Sequence, residues 1–199
     1  MNNLLLVREK NNCEFSLKEN EHLSILSFNS QNRINVELCG EGAAFEYHSL
    51  TILNDEKTEQ KINVAHKTPN THSFLFARHI LNGNARAEFN GTIEVYPNSK
   101  DIKSRQLVNS ILLSPNAKAI SKPELKIFCD EVECSHGSTC GGLDEDSLFY
   151  LQSRGLSFTQ AEDILLLAFA EEVIQPSFKN EVRGLLAEAF SACKASPVS

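Results

Sequence analysis

The 199-residue chain has no tryptophan and a single methionine. It is also short of positive charge, with 19 Lys and Arg against 26 Asp and Glu for a net charge of −7. A nucleic-acid surface needs a clustered basic face, so this balance argues against that class of partner. No long hydrophobic run is present: stretches such as 164–170 fall far below the ~20 apolar residues of a membrane-spanning helix. The opening MNNLLLVREKNN lacks the basic n-region of a signal peptide. The expectation is therefore a cytoplasmic chain without membrane contact, its six cysteines kept as reduced thiols. A P-loop, a Gly-x-Ser-x-Gly elbow and a dinucleotide fingerprint are missing too, which leaves an independent hydrolase or kinase without a motif.

What the sequence has in quantity is short alternating segments. Period-2 patterns run through Cys13-Glu14-Phe15-Ser16-Leu17 and Arg33-Ile34-Asn35-Val36-Glu37-Leu38-Cys39. They recur at Lys61-Ile62-Asn63-Val64 and Thr92-Ile93-Glu94-Val95-Tyr96. Polar, Asn-, Gly- or Pro-containing breaks at 18–21, 29–32, 54–59, 67–70, 97–101 and 114–117 separate them. Strand upon strand with no long helix between fits a sandwich, a barrel or a β-solenoid. Asn90-Gly91 reads locally as a two-residue hairpin turn.

After residue 142 the pattern becomes helical. Asp144 is a good N-cap for a helix beginning at Glu145, and Arg154-Gly155 ends it with glycine in the left-handed cap position. Thr159-Gln160-Ala161-Glu162 reads as a capping box for a second helix running to about Ile174, before Pro176. Its middle, 164–170, is apolar nearly all round, so the helix is either sandwiched inside the fold or turned partly toward a partner. Ser177 is the expected cap of a third helix through about Lys194, with an apolar stripe of Val182, Leu185, Leu186, Ala189 and Phe190 and a frayed tail from Ala195. The expected division is a β core over 1–142 and a helical region over 143–199.

Chemistry concentrates at the switch between the two. Cys134, His136 and Cys140 lie within seven residues, and thiolate and imidazole are natural ligands for zinc or iron. Their spacing is not that of a standard zinc site, and no second Cys/His cluster completes four ligands. On an extended strand Val132, Cys134 and His136 share one face, so Cys134 has an alternative reading as a small core hydrophobe. Cys13, Cys39 and Cys129 sit in strand patterns and read as core, while Cys193 reads as exposed. His66, His72, His79, Arg78 and Arg86 read as solvated strand edges and corners.

The stretch 122–172 carries a resemblance. A strand ending in Cys134-Ser135-His136-Gly137, then Leu143-Asp144-Glu145, then Leu148-Phe149-Tyr150-Leu151, Ser153-Arg154-Gly155, and a helix with Ala168-Phe169-Ala170-Glu171-Glu172 is similar to the C-terminal core of the SufB/SufD family of iron–sulfur cluster assembly proteins. Residues 64–113 fit that family's strand–corner pattern well, with Gly91 at a corner or bulge, and residues 1–60 only weakly.

The resemblance implies a mainly β fold, a right-handed β-helix-like superhelix of short strands followed by a small helical region. It also implies a non-catalytic scaffold subunit, not an enzyme. Such a subunit pairs its terminal β edge, near 107–136, with a SufB-type protein and docks its helices on a SufC-type ABC ATPase. The Ser135-His136-Gly137 ending, and Val108 where SufB has its acceptor cysteine, resemble the SufD branch. His136 is then implied in handling iron or a cluster, with Cys134 and Cys140 as possible further ligands. Leu148, Phe149, Tyr150, Arg154 and Phe169 are the expected ATPase-facing residues. No tightly bound cofactor is expected in the isolated chain, only a transient iron or iron–sulfur cluster in the complex. Family members of this branch are about twice as long, so this chain reads as a short member or a truncated one. Two rivals remain at this level: a zinc-binding β-helical enzyme using Cys134, His136 and Cys140, and a paralogue that only self-associates, as a homodimer.

Overall fold

In the computed structural model, which describes residues 2–8, 10–174 and 179–194, eleven strands precede three helices. The strands are β1 (Asn2–Val7), β2 (Asn11–Leu17), β3 (His22–Phe28), β4 (Asn32–Leu38), β5 (Ala44–Asn54), β6 (Lys57–His66), β7 (His72–Asn82), β8 (Arg86–Val95), β9 (Ile102–Leu112), β10 (Lys118–Ile127) and β11 (Val132–Gly141). Alternate strands go to opposite walls. The odd strands form one parallel sheet in the order β1-β3-β5-β7-β9-β11, and the even strands form the other, β2-β4-β6-β8-β10. The chain thus winds as a β-solenoid with two strands per turn.

The alternation seen in the sequence is the alternation of the walls. In β6 and β8 every second side chain is buried between the sheets, and the others face solvent. Ile34 pairs with Ile62, and Val36, Val64 and Ile93 follow one another across strands, so like residues stack from turn to turn. Together with Phe45, Tyr47, Leu75 and Phe89 they fill the space between the walls. β5 from Tyr47 to Leu53 and β7 from Ala77 to Leu81 are buried on both faces, because the helices cover the outside of the odd sheet there. A turn grows from 20 residues, Asn2 opposite His22, to 32, Arg86 opposite Lys118. This drift is why no short repeat is visible in the sequence.

The corners are made by residues with positive φ, a backbone region that Asn, Asp and Gly tolerate best. At one end of the strands Asn20, Gly42, Asn70 and Asp101 take this conformation, and the backbone N–H of each donates to a carbonyl of the next turn. At the other end stand Asn29, Asp55 and Gly83. Gly83 needs to be glycine twice over: φ is +58°, and a Cβ would sit 2.3 Å from Asp55 Oδ1. That oxygen already accepts from the Asn84 backbone at 2.7 Å.

Gly91 is at neither a corner nor a hairpin. It lies inside the continuous strand β8, in parallel register with Ile62 and Pro123. What requires glycine there is the opposite wall: a Cβ would meet the carboxamide of Gln106 at 2.6 Å.

The helices are α1 (Glu145–Ser153), α2 (Phe158–Glu171) and α3 (Lys179–Lys194). Asp144 caps α1 by accepting from Ser147 N–H at 2.8 Å, and hydrogen bonds from the Ser147 side chain and backbone hold its carboxyl below the usual range. Arg154 and Gly155, at φ +93°, close it. The capping box of α2 is Ser157 with Gln160, two residues earlier than Thr159 with Glu162. α2 ends at Glu171 rather than near Ile174. The expected Ser177 cap and the tail from Ala195 lie outside the described residues.

α2 and α3 pack on the outer face of the odd sheet, where Leu166, Ala170, Val173, Val182 and Leu186 meet Leu26, Leu50, Ile52 and Ile80. Arg78 fastens α2. It projects from β7, donates to the Phe169 carbonyl at 2.7 Å, pairs with Glu172 and stacks over the Phe169 ring at 4.3 Å. Asn82 fastens α3 by donating to the Cys193 carbonyl at 2.8 Å. No helix among the described residues is long and apolar enough to cross a membrane.

Candidate functional site at the terminal rung

Several polar side chains that face inward within the solenoid are paired with one another. His66 lies between Thr71 and Ser73 at 2.8 and 2.9 Å, and Ser73 Oγ contacts Ser104 Oγ at 2.7 Å. His79 reaches Ser110 at 3.1 Å. Burial pushes both imidazoles down to about pKa 4, so both are neutral at pH 7. Asn32 donates to Ser27, Ser30 and Tyr47. His66, His79 and Arg78 are therefore buried parts of the architecture, not the solvated edges and corners expected from their polar surroundings.

The last rung differs. β10 and β11 each have a paired strand on one side only, so their other edges are open among the described residues. The parity of β11 carries Cys134 and His136 on the inward face, one strand above Ser104 and Gln106. Cys134 is half-buried and packs against the core, and burial raises its thiol pKa. His136 and Cys140 are exposed. Because β11 is extended, His136 and Cys140 stand ~13 Å apart along the strand. They cannot share one tetrahedral ion with Cys134, and the described residues hold no cluster of three or more His, Cys, Asp or Glu able to hold a metal. The rung thus offers one exposed imidazole beside one half-buried thiol, on an edge whose remaining donors would have to come from elsewhere.

Residues 11–169 match the model of the SUF system FeS cluster assembly SufBD core domain. The chain belongs to the SufB/SufD family. It is 29% identical over 153 residues to the iron–sulfur cluster assembly protein SufD of Escherichia coli, an alignment covering 76% of this chain and 35% of that protein. It is 32% identical over 167 residues to an iron–sulfur cluster assembly SufBD family protein of Synechocystis, covering 75% and 37%. With the chloroplastic protein ABCI7 of Arabidopsis thaliana it shares 36% identity over 104 residues, covering 52% and 22%. The matched part of the chain spans about a third of the length of these relatives or less.

Within the SufB/SufD core fold, the residues expected to face an ATPase separate into two groups. Phe149 (74% exposed), Tyr150 and Arg154 lie on the open side of α1, with Arg154 over the Tyr150 ring at 5.2 Å. Leu148 is half-buried. Phe169 is turned to the solenoid, under Arg78. In its place the structure adds Phe158, Ile164 and Leu167 to the exposed large apolar side chains of the helices. α2 does both things its all-round apolar middle allowed: Leu166 and Ala170 pack inward while Ile164 and Leu167 face out. Two cysteine expectations reverse: Cys39 is exposed, just past the end of β4, and Cys193 is buried, its thiol 3.6 Å from the Leu53 carbonyl.

Proposed function

We propose that this chain acts as a SufD-like, non-catalytic subunit in iron–sulfur cluster assembly, using its terminal rung to meet a SufB-type protein and its helical hairpin to meet a SufC-type ABC ATPase. The observation that carries the reading is His136: an exposed, inward-parity imidazole on the last strand, beside an unpaired parallel edge. Exposed backbone N–H and C=O groups on β10 and β11 are a template for another strand. A partner that extended the sheets there would bring its own donors beside His136. Iron or an intermediate cluster would be the cargo of that shared site, and imidazole and thiolate suit it. Phe149, Tyr150, Phe158, Ile164 and Leu167 leave large apolar side chains exposed on the two helices, which suits contact with a second protein surface.

The test is co-purification of the chain with SufB-type and SufC-type proteins of the same source, as wild type and His136→Ala, followed by anaerobic iron and sulfide analysis. A stable complex whose iron and sulfide content falls in the variant is expected. A complex loaded equally in both would remove His136 from the reading, and the absence of any complex would remove the partners.

A further inference from the structure

Directly beneath His136 lies a side chain whose burial is otherwise unexplained. Gln106 on β9 is fully buried, and neither its Nε2 nor its Oε1 has a hydrogen-bond partner. Leaving a buried polar group unmade costs roughly 1–3 kcal/mol, and an amide here costs more than a leucine of similar size would. The fold nevertheless makes room for it, since Gly91 on the opposite wall leaves the space that the carboxamide occupies.

The neighbours narrow what the amide is for. Along the stack below it stand Leu75 and, beneath Gly91, Ile62, which are apolar. Ser104, two residues earlier on the same face, is already bonded to Ser73. In the rung above, Gln106 is in register with His136, and Gly91 is in register with Pro123. Adjacent strands are ~4.8 Å apart, within reach of a ring and an amide on the same face. A further unpartnered buried polar atom, Ser121 Oγ, lies on β10 in the same rung.

We propose that Gln106 is a positioning residue for His136: its Oε1 accepts the imidazole N–H from below, fixing one tautomer and leaving the unprotonated ring nitrogen, with its lone pair, facing the open edge. This rests on the reading of His136 as the metal-facing residue. A bond from a ligating histidine's second nitrogen to a carbonyl is how such rings are oriented and made more basic.

The test uses the full chain labelled with [15N]histidine, and long-range 15N–1H spectra at neutral pH to read the His136 tautomer. Wild type is expected to show one tautomer. Gln106→Leu is expected to keep the fold, with an unchanged or raised Tm, and to let His136 relax to a mixture. Gln106→Glu, which retains an acceptor, restores the single tautomer. Anaerobic titration of the complex with a SufB-type protein, using ferrous ammonium sulfate, is expected to show affinity ~10–100-fold weaker for Gln106→Leu. Should Gln106→Leu not fold, Gln106→Asn, shorter by one methylene, makes the same test. An unchanged His136 tautomer in the variant overturns the proposal. If the tautomer shifts but neither Gln106→Leu nor His136→Ala alters iron binding, the positioning stands and the iron-handling reading falls.

Discussion

His66 and His79 in the middle turns, and His136 in the last, all sit on strands with inward parity. The first two are enclosed, bonded to hydroxyls and held neutral. The third has a half-empty neighbourhood: open edges beside it, an exposed ring, and an unpaired amide below. A solenoid repeats one environment, so a residue's role is set by whether another turn lies on top of it. Enclosed polar groups specify the stack. The same groups at the uncovered end are available for chemistry.

The contrast can be tested hardest through the core. Phe89→Ala between the walls is expected to cost ~3–5 kcal/mol, whereas Phe149→Ala on the open side of α1 should stay within ~0.5 kcal/mol. Urea denaturation of both variants checks this, and equal costs would erase the distinction between enclosed and open faces.

The next effect is pH dependence. The unfolded chain protonates His66 and His79 near pH 6.5, while the folded chain resists until about pH 4. The unfolded state therefore binds more protons in this window. Their contribution is whole above pH 6.5, declines as pH falls toward 4, and is level below it. Each histidine removes on the order of 3 kcal/mol across the window. His79→Gln is expected to flatten the slope measured by urea titrations at pH 7, 5.5 and 4.5.

A smaller loss, roughly 1–3 kcal/mol, is expected from Arg78→Met, which leaves the Phe169 carbonyl and Glu172 without their cation. Limited proteolysis should then cut in the α1–α2 segment before the solenoid, and cutting at the wild-type rate would show that Arg78 is not the fastening. The least perturbing probe is thiol labelling with maleimide under native conditions. Cys39 and Cys140 should react first, Cys134 more slowly because burial disfavours its thiolate, and Cys193 last.

Much of this arrangement was legible in the residues. Alternation marked the strands, the Asn- and Asp-containing breaks marked the corners, and Asp144 and Gly155 marked the first helix. The helix cap of α2 was misread because Ser157-x-x-Gln160 and Thr159-x-x-Glu162 both satisfy the same pattern. Cys39 sits among apolar neighbours, but Ile34, Val36 and Leu38 are the inward residues of β4, so the next position falls on the outward side of the alternation. Gly91 imitates a hairpin because its real constraint, Gln106, comes from another strand of the opposite sheet.

Local sequence determined the strands, their inward faces, two of the caps and the family, since each depends on residues a few positions apart. Tertiary structure alone decided that Arg78, His66 and His79 are buried, that Phe169 turns inward, and that an unpaired Gln106 lies beneath His136. Those facts depend on register between strands 20 to 32 residues apart, on which turn is last, and on α2 folding back onto β7 across 91 residues, and no local pattern encodes any of them.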